Sequence, residues 1–134
     1  MDYQIIPNPP DVESYLHLRA STGLSNKSAD AARLGLAGTY YGVSITQGSQ
    51  VVGMGRIIGD GGCFFQIVDI AVLPEHQGKG LGKLIMSTLM DFARENIAAT
   101  AHISLLADGD AHHLYRKYGF EFSAPRSQGM VLRL

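Results

Sequence analysis

The sequence predicts a mixed α/β (α+β) fold in one domain, residues 1–134. Three observations carry that reading. Tyr40 to Thr46 alternates, with Tyr41, Val43 and Ile45 on one face and Gly42, Ser44 and Thr46 on the other, and Val51 to Ile58 returns after the turn residues Gln47-Gly48-Ser49-Gln50, the pattern of a half-buried hairpin. From about Gly80, Leu81, Leu84, Ile85, Leu89 and Phe92 recur at helical spacing. No linker, repeat or composition break divides the chain, and its length suits one self-sufficient core.

The elements follow in order. Tyr3 to Ile6 reads as a short strand stopped by Pro7, Pro9 and Pro10. Asp11 stands as N-cap before a helix carrying Val12, Tyr15, Leu16 and Leu18, and Ser28 to Leu36 reads as a second helix after a loop over Ser21 to Asn26. Gly59-Asp60-Gly61-Gly62 turns the chain into Phe64 to Leu73, whose long apolar run places it inside a sheet until Pro74 stops it. The amphipathic helix runs to about Asn96, His102 to Leu106 is a further strand, and Asp108 to Lys117 is a helix closed by Gly119. Phe120 to Ser123 and Met130 to Leu134 are expected as two last strands.

Composition excludes several classes. A net charge of −1 without a basic run argues against nucleic-acid binding. No apolar stretch approaches the ~18 residues of a membrane span, and Met1 to Pro10 lacks the pattern of a signal peptide. One cysteine, Cys63, forbids an internal disulfide, and a cytoplasmic location is expected. Cys63 is read as a structural cysteine at a strand start rather than a nucleophile.

Sixteen glycines among 134 residues exceed the usual ~7%, and three crowd the segment from Gln77 to Lys83. A strand ends before this segment and a helix starts within it. Unpaired N–H groups at a helix N-terminus bind anions, glycine lets the backbone approach a phosphate, and Lys79 and Lys83 add positive charge. A phosphate-bearing ligand is therefore expected; a glycine-rich turn without ligand is the plain alternative. The P-loop pattern fails, because Gly82-Lys83 is followed by Leu84, and the Gly-x-Gly-x-x-Gly fingerprint fails because the third position is Lys83 or Ile85.

The segment Gln77-Gly78-Lys79-Gly80-Leu81-Gly82, with Asp69-Ile70-Ala71-Val72-Leu73-Pro74 before it, closely resembles the acetyl-CoA-binding motif of the GNAT superfamily N-acetyltransferases. Ala111-His112-His113-Leu114-Tyr115-Arg116-Lys117-Tyr118-Gly119-Phe120 resembles that family's Ala-x-x-Leu-Tyr-x-x-x-Gly-Phe segment. The resemblance spans roughly Tyr40 to Phe120. It implies a mixed, mostly antiparallel central sheet, about four flanking helices and a splayed strand pair that takes acetyl-CoA. Ile70, Ala71 and Val72 are then the strand that meets the pantetheine, and Gln77, Gly78, Lys79, Gly80, Leu81, Gly82 and Lys83 the pyrophosphate loop. Asp108 stands where many relatives carry an asparagine that contacts the cofactor.

The resemblance further implies direct attack of an amine on the thioester, without an enzyme nucleophile or a metal. A backbone N–H near Ile70 polarises the thioester carbonyl. Tyr115 is the candidate acid for the departing thiolate, with a core tyrosine as its plain alternative. Asp69, a carboxylate in an otherwise apolar strand, is the leading candidate base, with a water chain or a structural role as alternatives. Glu75, His76, His112 and His113 are weaker candidates, and the two adjacent histidines, expected on different helix faces, make a poor metal site. Arg19, Gly23, Leu24, Tyr40, Tyr41 and Phe64 either line the acceptor pocket or pack the core, and Gly53 and Gly55 leave room on one strand face. The acceptor is expected to be a small-molecule amine; a protein N-terminus or lysine, or a non-catalytic acyl-CoA sensor, are the alternatives. The resemblance also allows a homodimer paired near Gly129 to Leu134.

Overall fold

A computed structural model describes residues 2–134. The strands β1 (Tyr3–Ile6), β2 (Tyr41–Gln47), β3 (Gln50–Gly59), β4 (Phe64–Val72) and β5 (His102–Leu105) form one sheet in the order β1-β2-β3-β4-β5. All neighbours are antiparallel except β4 and β5, which are parallel. The four helices are α1 (Val12–Ser21), α2 (Ala29–Ala37), α3 (Leu81–Asn96) and α4 (His112–Arg116).

Alternation along β3 shows how the layers sit. A Cβ on Gly55 would meet Ile85 Cγ2 of α3 at 2.6 Å, whereas the next residue, Arg56, reaches the end of α2 through Gly35 O at 3.0 Å. The sheet therefore carries α3 on one face and the α1–α2 pair on the other. Ile85, Met86 and Leu89 of α3 are fully buried, as are Val43, Ile45 and Ile57 on the sheet face beneath them; Met54, fully buried too, lies on the opposite face. Gly53 and Gly55 thus make way for α3 side chains and leave no substrate groove on that face, contrary to expectation.

Three more expectations need correction. β2 is covered on both faces, not one. A Cβ on Gly42 would lie 2.9 Å from Pro9 N, and Ser44 donates its hydroxyl to Asn8 O at 2.7 Å, so the proline segment after β1 crosses that face. Helix α4 is shorter than Asp108 to Lys117, because Gly109 takes a positive φ of 52° and the chain enters the helix through three-residue bonds such as His113 N–H to Asp110 O. The two last strands do not form. Ser127 N–H closes a turn onto Ser123 O at 3.0 Å, and neither expected segment joins a ladder; β5 pairs with β4 alone. The terminal side chains stand in the open, Met130 at 94% and Leu132 at 84% exposure.

Candidate active site

The site begins where β4 leaves regular geometry. β3–β4 pairing runs Arg56↔Val68 and then jumps to Met54↔Ala71, so Gly55 faces a bulge at Asp69 and Ile70. Asp69 sits there with φ of 61°, a left-handed conformation uncommon outside glycine. The parallel β4–β5 register ends at Ile67↔Leu105 while β4 continues to Val72. The two strands part, and a cleft of about 280 Å³ opens between them. Arg19, Leu24, Asp69, Ile70, Asp108 and Tyr115, six residues singled out from the sequence, line it together.

Asp69 is held by a buried polar cluster. Its Oδ1 accepts Arg19 Nη1, and its Oδ2 accepts the Tyr15 hydroxyl at 2.8 Å and Arg56 Nε at 2.9 Å. Arg56 Nη2 also lies 2.9 Å from Oδ2. The three charged side chains are at most 9% exposed. The apolar surroundings expected for this carboxylate are therefore replaced by two guanidinium groups and a phenol. Burial first, and the hydrogen bond to Asp69 second, push the Tyr15 phenol above its ordinary value. Sequence reading missed Tyr15 and Arg56 as site residues. The signal for Arg56 was present, a lone charge within Val-Val-Gly-Met-Gly-Arg-Ile-Ile; Tyr15 looked like any apolar-face residue of α1.

Tyr115 projects into the cleft from α4. Burial first, and the charge of Asp108 second, raise its phenol above 10.0, so it keeps its proton at neutral pH. At the other end of the splay, a 3₁₀ turn over Pro74–His76 leads into the glycine segment. Gly78 and Gly80 have φ of 77° and 81°, and a Cβ on either would meet nothing within 4 Å. Their backbone is bare. Gly80 caps α3, and the first helical bond is Leu84 N–H to Gly80 O at 3.0 Å, which leaves the N–H groups of Leu81, Gly82 and Lys83 ahead of the ladder. Lys79 and Lys83 are exposed beside them.

Leu73 N–H donates to Val52 O at 2.9 Å, so antiparallel alternation turns the N–H and C=O of Val72 away from β3 and those of Ala71 toward it. Gln77 Nε2 donates to Val72 O at 2.9 Å. Ala71 is 5% exposed, pairs with Met54 and faces the core, so its expected cofactor contact is not supported. Leu81 offers only its backbone, its side chain being buried. Phe64, expected near the acceptor, begins β4 at the far end, beside His102 and 64% exposed. Tyr41 stacks on Phe92 with centroids 3.9 Å apart, and Tyr40 packs on Phe65 at 4.9 Å; both belong to the packing under α3. Gly23 lies outside the cleft lining.

His76 is buried, with Nδ1 2.7 Å from the Tyr3 hydroxyl. His112 and His113 do not point to different faces, as expected: at the short start of α4 their rings lie 4.1 Å apart, and with Asp110 they bring three potential ligand atoms within 4.8 Å. Cys63 is exposed in the Asp60 turn. A larger hollow, about 600 Å³, lies on the other side of β5, against residues 120–130.

A mostly antiparallel sheet whose parallel pair parts beside a glycine loop at a helix N-terminus defines the architecture of a GNAT-type acyltransferase. The chain belongs to that family: the family model for the acetyltransferase (GNAT) domain matches residues 38–122. A probable acetyltransferase of unknown function from meticillin-resistant Staphylococcus aureus, solved as a crystal structure, is 39% identical, covers 99% of this chain and 100% of its own, and superposes with a TM-score of 0.94. Streptothricin acetyltransferase of Streptomyces lavendulae is 42% identical over 57 residues, 42% of this chain and 30% of that protein. The [ribosomal protein bS18]-alanine N-acetyltransferase of Haemophilus influenzae is 29% identical over 83 residues, 60% of this chain and 55% of that protein. The chain spans about half the length of the curated relatives it matches. No helix among the described residues is long and apolar enough to cross a membrane.

Proposed function

We propose that the chain moves an acetyl group from acetyl-CoA to a primary amine of a small molecule, by direct attack in a ternary complex. The observation that carries this reading is the cleft, because the β4 bulge and Tyr115 meet in one opening where β4 parts from β5, with the bare glycine backbone following the end of β4. The residues fit coenzyme A. The open Gly78 and Gly80 backbone and the N–H groups ahead of α3 suit a pyrophosphate, Lys79 and Lys83 suit its charge, and the outward N–H of Val72, whose carbonyl Gln77 engages, suits an extended amide arm. Acetyl-CoA supplies the activated acyl thioester.

In this reading Ile70 aims a backbone N–H at the thioester oxygen, where negative charge develops. Tyr115 gives its phenolic proton to the leaving sulfur. Asp69, with both oxygens engaged by cationic and phenolic donors, holds the bulge in place and is a positioning residue rather than the base. Asp108 is the cleft carboxylate outside that ion-paired cluster; it receives the acceptor's ammonium group and passes the proton toward solvent. The cleft's small volume favours a small acceptor over a peptide. The exposed apolar tail and the open edge of β5 support a homodimer; light scattering that reads a monomer at micromolar concentration rejects it.

The test is release of free thiol from acetyl-CoA by the purified chain against a panel of amines and peptides. Amine-dependent release supports the reading. Release with peptides alone moves the acceptor to proteins. Tight coenzyme A binding without release on any acceptor makes the chain a sensor. Cytoplasmic location, part of the same reading, is checked by fractionation.

A further inference from the structure

We propose that the acceptor is a small zwitterion, an amine that carries a carboxylate on a neighbouring carbon, with its carboxylate toward Arg19 and its amino group toward Asp108. This rests on the acetyltransferase reading above and names the substrate class within it.

The first observation is a charge imbalance in a buried place. Arg19 and Arg56 share the single carboxylate of Asp69, which leaves one positive charge over. Buried charges are ordinarily matched. The excess does not fall equally on the two. Arg56 spends Nε and Nη2 on Asp69, and its Nη1 donates to Thr39 Oγ1 at 2.9 Å and to Gly35 O at 3.0 Å. Gly35 is in the last turn of α2, where the helix dipole is negative. Arg19 has a single carboxylate contact, through Nη1, and Nε and Nη2 go to the neutral Ser25 at 3.0 and 2.8 Å. Apart from the dipole of its own helix end and the Tyr15 ring, 5.7 Å from its guanidinium carbon, Arg19 carries the uncompensated charge.

The second observation is where that charge lies. Arg19 lines the cleft beside Thr22 and Leu24, and Asp108 lines it beside Tyr115. Asp108 shares that lining with Tyr115, and its charge helps raise the Tyr115 phenol. The cleft lining thus carries a surplus cation from the end of α1 and an anion from the segment before α4. A ligand complementary to that lining carries both an anion and an ammonium group. A bare alkylamine or a polyamine leaves Arg19 unmatched, and a polyamine adds a second cation to it. The cleft, about 280 Å³, must also take the acetyl thioester, and what remains suits an acceptor no larger than an amino acid.

The test uses the intact chain with acetyl-CoA and amines matched except for the carboxylate: L-leucine against isopentylamine, L-lysine against cadaverine, L-phenylalanine against phenethylamine. Thiol release gives kcat/KM for each. At least a tenfold preference for the carboxylate-bearing member of one or more pairs is expected, shrinking toward parity in Arg19→Gln. Because Arg19→Gln also loosens Asp69, a second measurement uses the unaltered chain. With coenzyme A present, calorimetry compares N-acetyl-L-leucine with N-isopentylacetamide, and at least tenfold tighter binding of the acid is expected. Equal or better turnover of the decarboxylated amines overturns the inference and leaves the acetyltransferase reading intact. Tighter binding of the acid without turnover of any amine keeps the charge assignment and overturns the enzymatic reading. Equal binding of acid and amide without turnover overturns both.

Discussion

Replacing Asp69 by Asn separates a positioning carboxylate from a proton acceptor. Asn is nearly isosteric, keeps one acceptor oxygen and tolerates a φ of 61° about as well as Asp, so shape and backbone change little. Charge changes greatly: two guanidinium groups, at 9% and 8% exposure, lose their one anionic partner among the described residues. Removing one partner of a buried ion pair costs about 3–5 kcal/mol, a large part of the ~5–15 kcal/mol that holds a domain together. With an unfolding entropy of about 2.1 cal/mol/K per residue, the lower figure corresponds to a Tm lowered by about 10 °C. Calorimetry on Asp69→Asn measures this directly. The cluster also holds the bulge that shapes the cleft, so kcat/KM should fall with stability, and Arg56→Met, which removes an opposite charge, should restore part of the stability lost in Asp69→Asn. A variant within about 1 kcal/mol of the parent would refute the keystone role. A variant of full stability and intact coenzyme A affinity whose kcat falls a hundredfold would refute it too, and would make Asp69 the base.

Tyr115→Phe should lower kcat by about 10²-fold or more and leave coenzyme A affinity unchanged; an unchanged kcat removes the phenol as acid. The active form is the protonated one and its pKa is raised, so the alkaline limb of kcat should fall only above the ordinary 10.0. Asp108→Asn, which removes the second cause of that shift, should move the limb downward, and an upward move contradicts the assignment. Gly80→Val forces a β-branched residue into φ of 81°, at about 1–2 kcal/mol, and should raise the Kd for coenzyme A at least tenfold; unaltered affinity contradicts the loop assignment. Gly55→Ala drives a Cβ against Ile85, Ile70 and Leu89 at 2.6–3.1 Å and should cost about 1–3 kcal/mol by overpacking; a neutral result by thermal melting contradicts the packing.

Strands β1 to β5 and all four helices were legible because their signals are local, such as alternation in Tyr41–Gln47 and helical spacing in Leu81–Asn96. The glycine loop was legible for the same reason. What failed was decided across the fold. Whether Met130 to Leu134 becomes a strand depends on a neighbour offering an edge, and no sequence pattern carries that. Asp69 looked like a charge in an apolar strand because its partners lie 50 and 13 residues away at Arg19 and Arg56. Gly55 looked like room for substrate because the residue that fills the space, Ile85, belongs to another element. Asp69, Ile70, Asp108 and Tyr115 came together because the resemblance tied them to motif positions that flank the splay; Phe64 did not, because its end of β4 faces away from it.

The most direct measurement is a backbone-amide NMR titration of the chain with coenzyme A. The cofactor assignment predicts shifts concentrated at Gly78, Gly80, Gly82 and Lys83 and at Ile70 and Val72, with the β1–β2 edge unchanged. Shifts centred instead on the larger hollow beyond β5, at residues 120–130, or a spectrum that coenzyme A leaves unmoved, would contradict it.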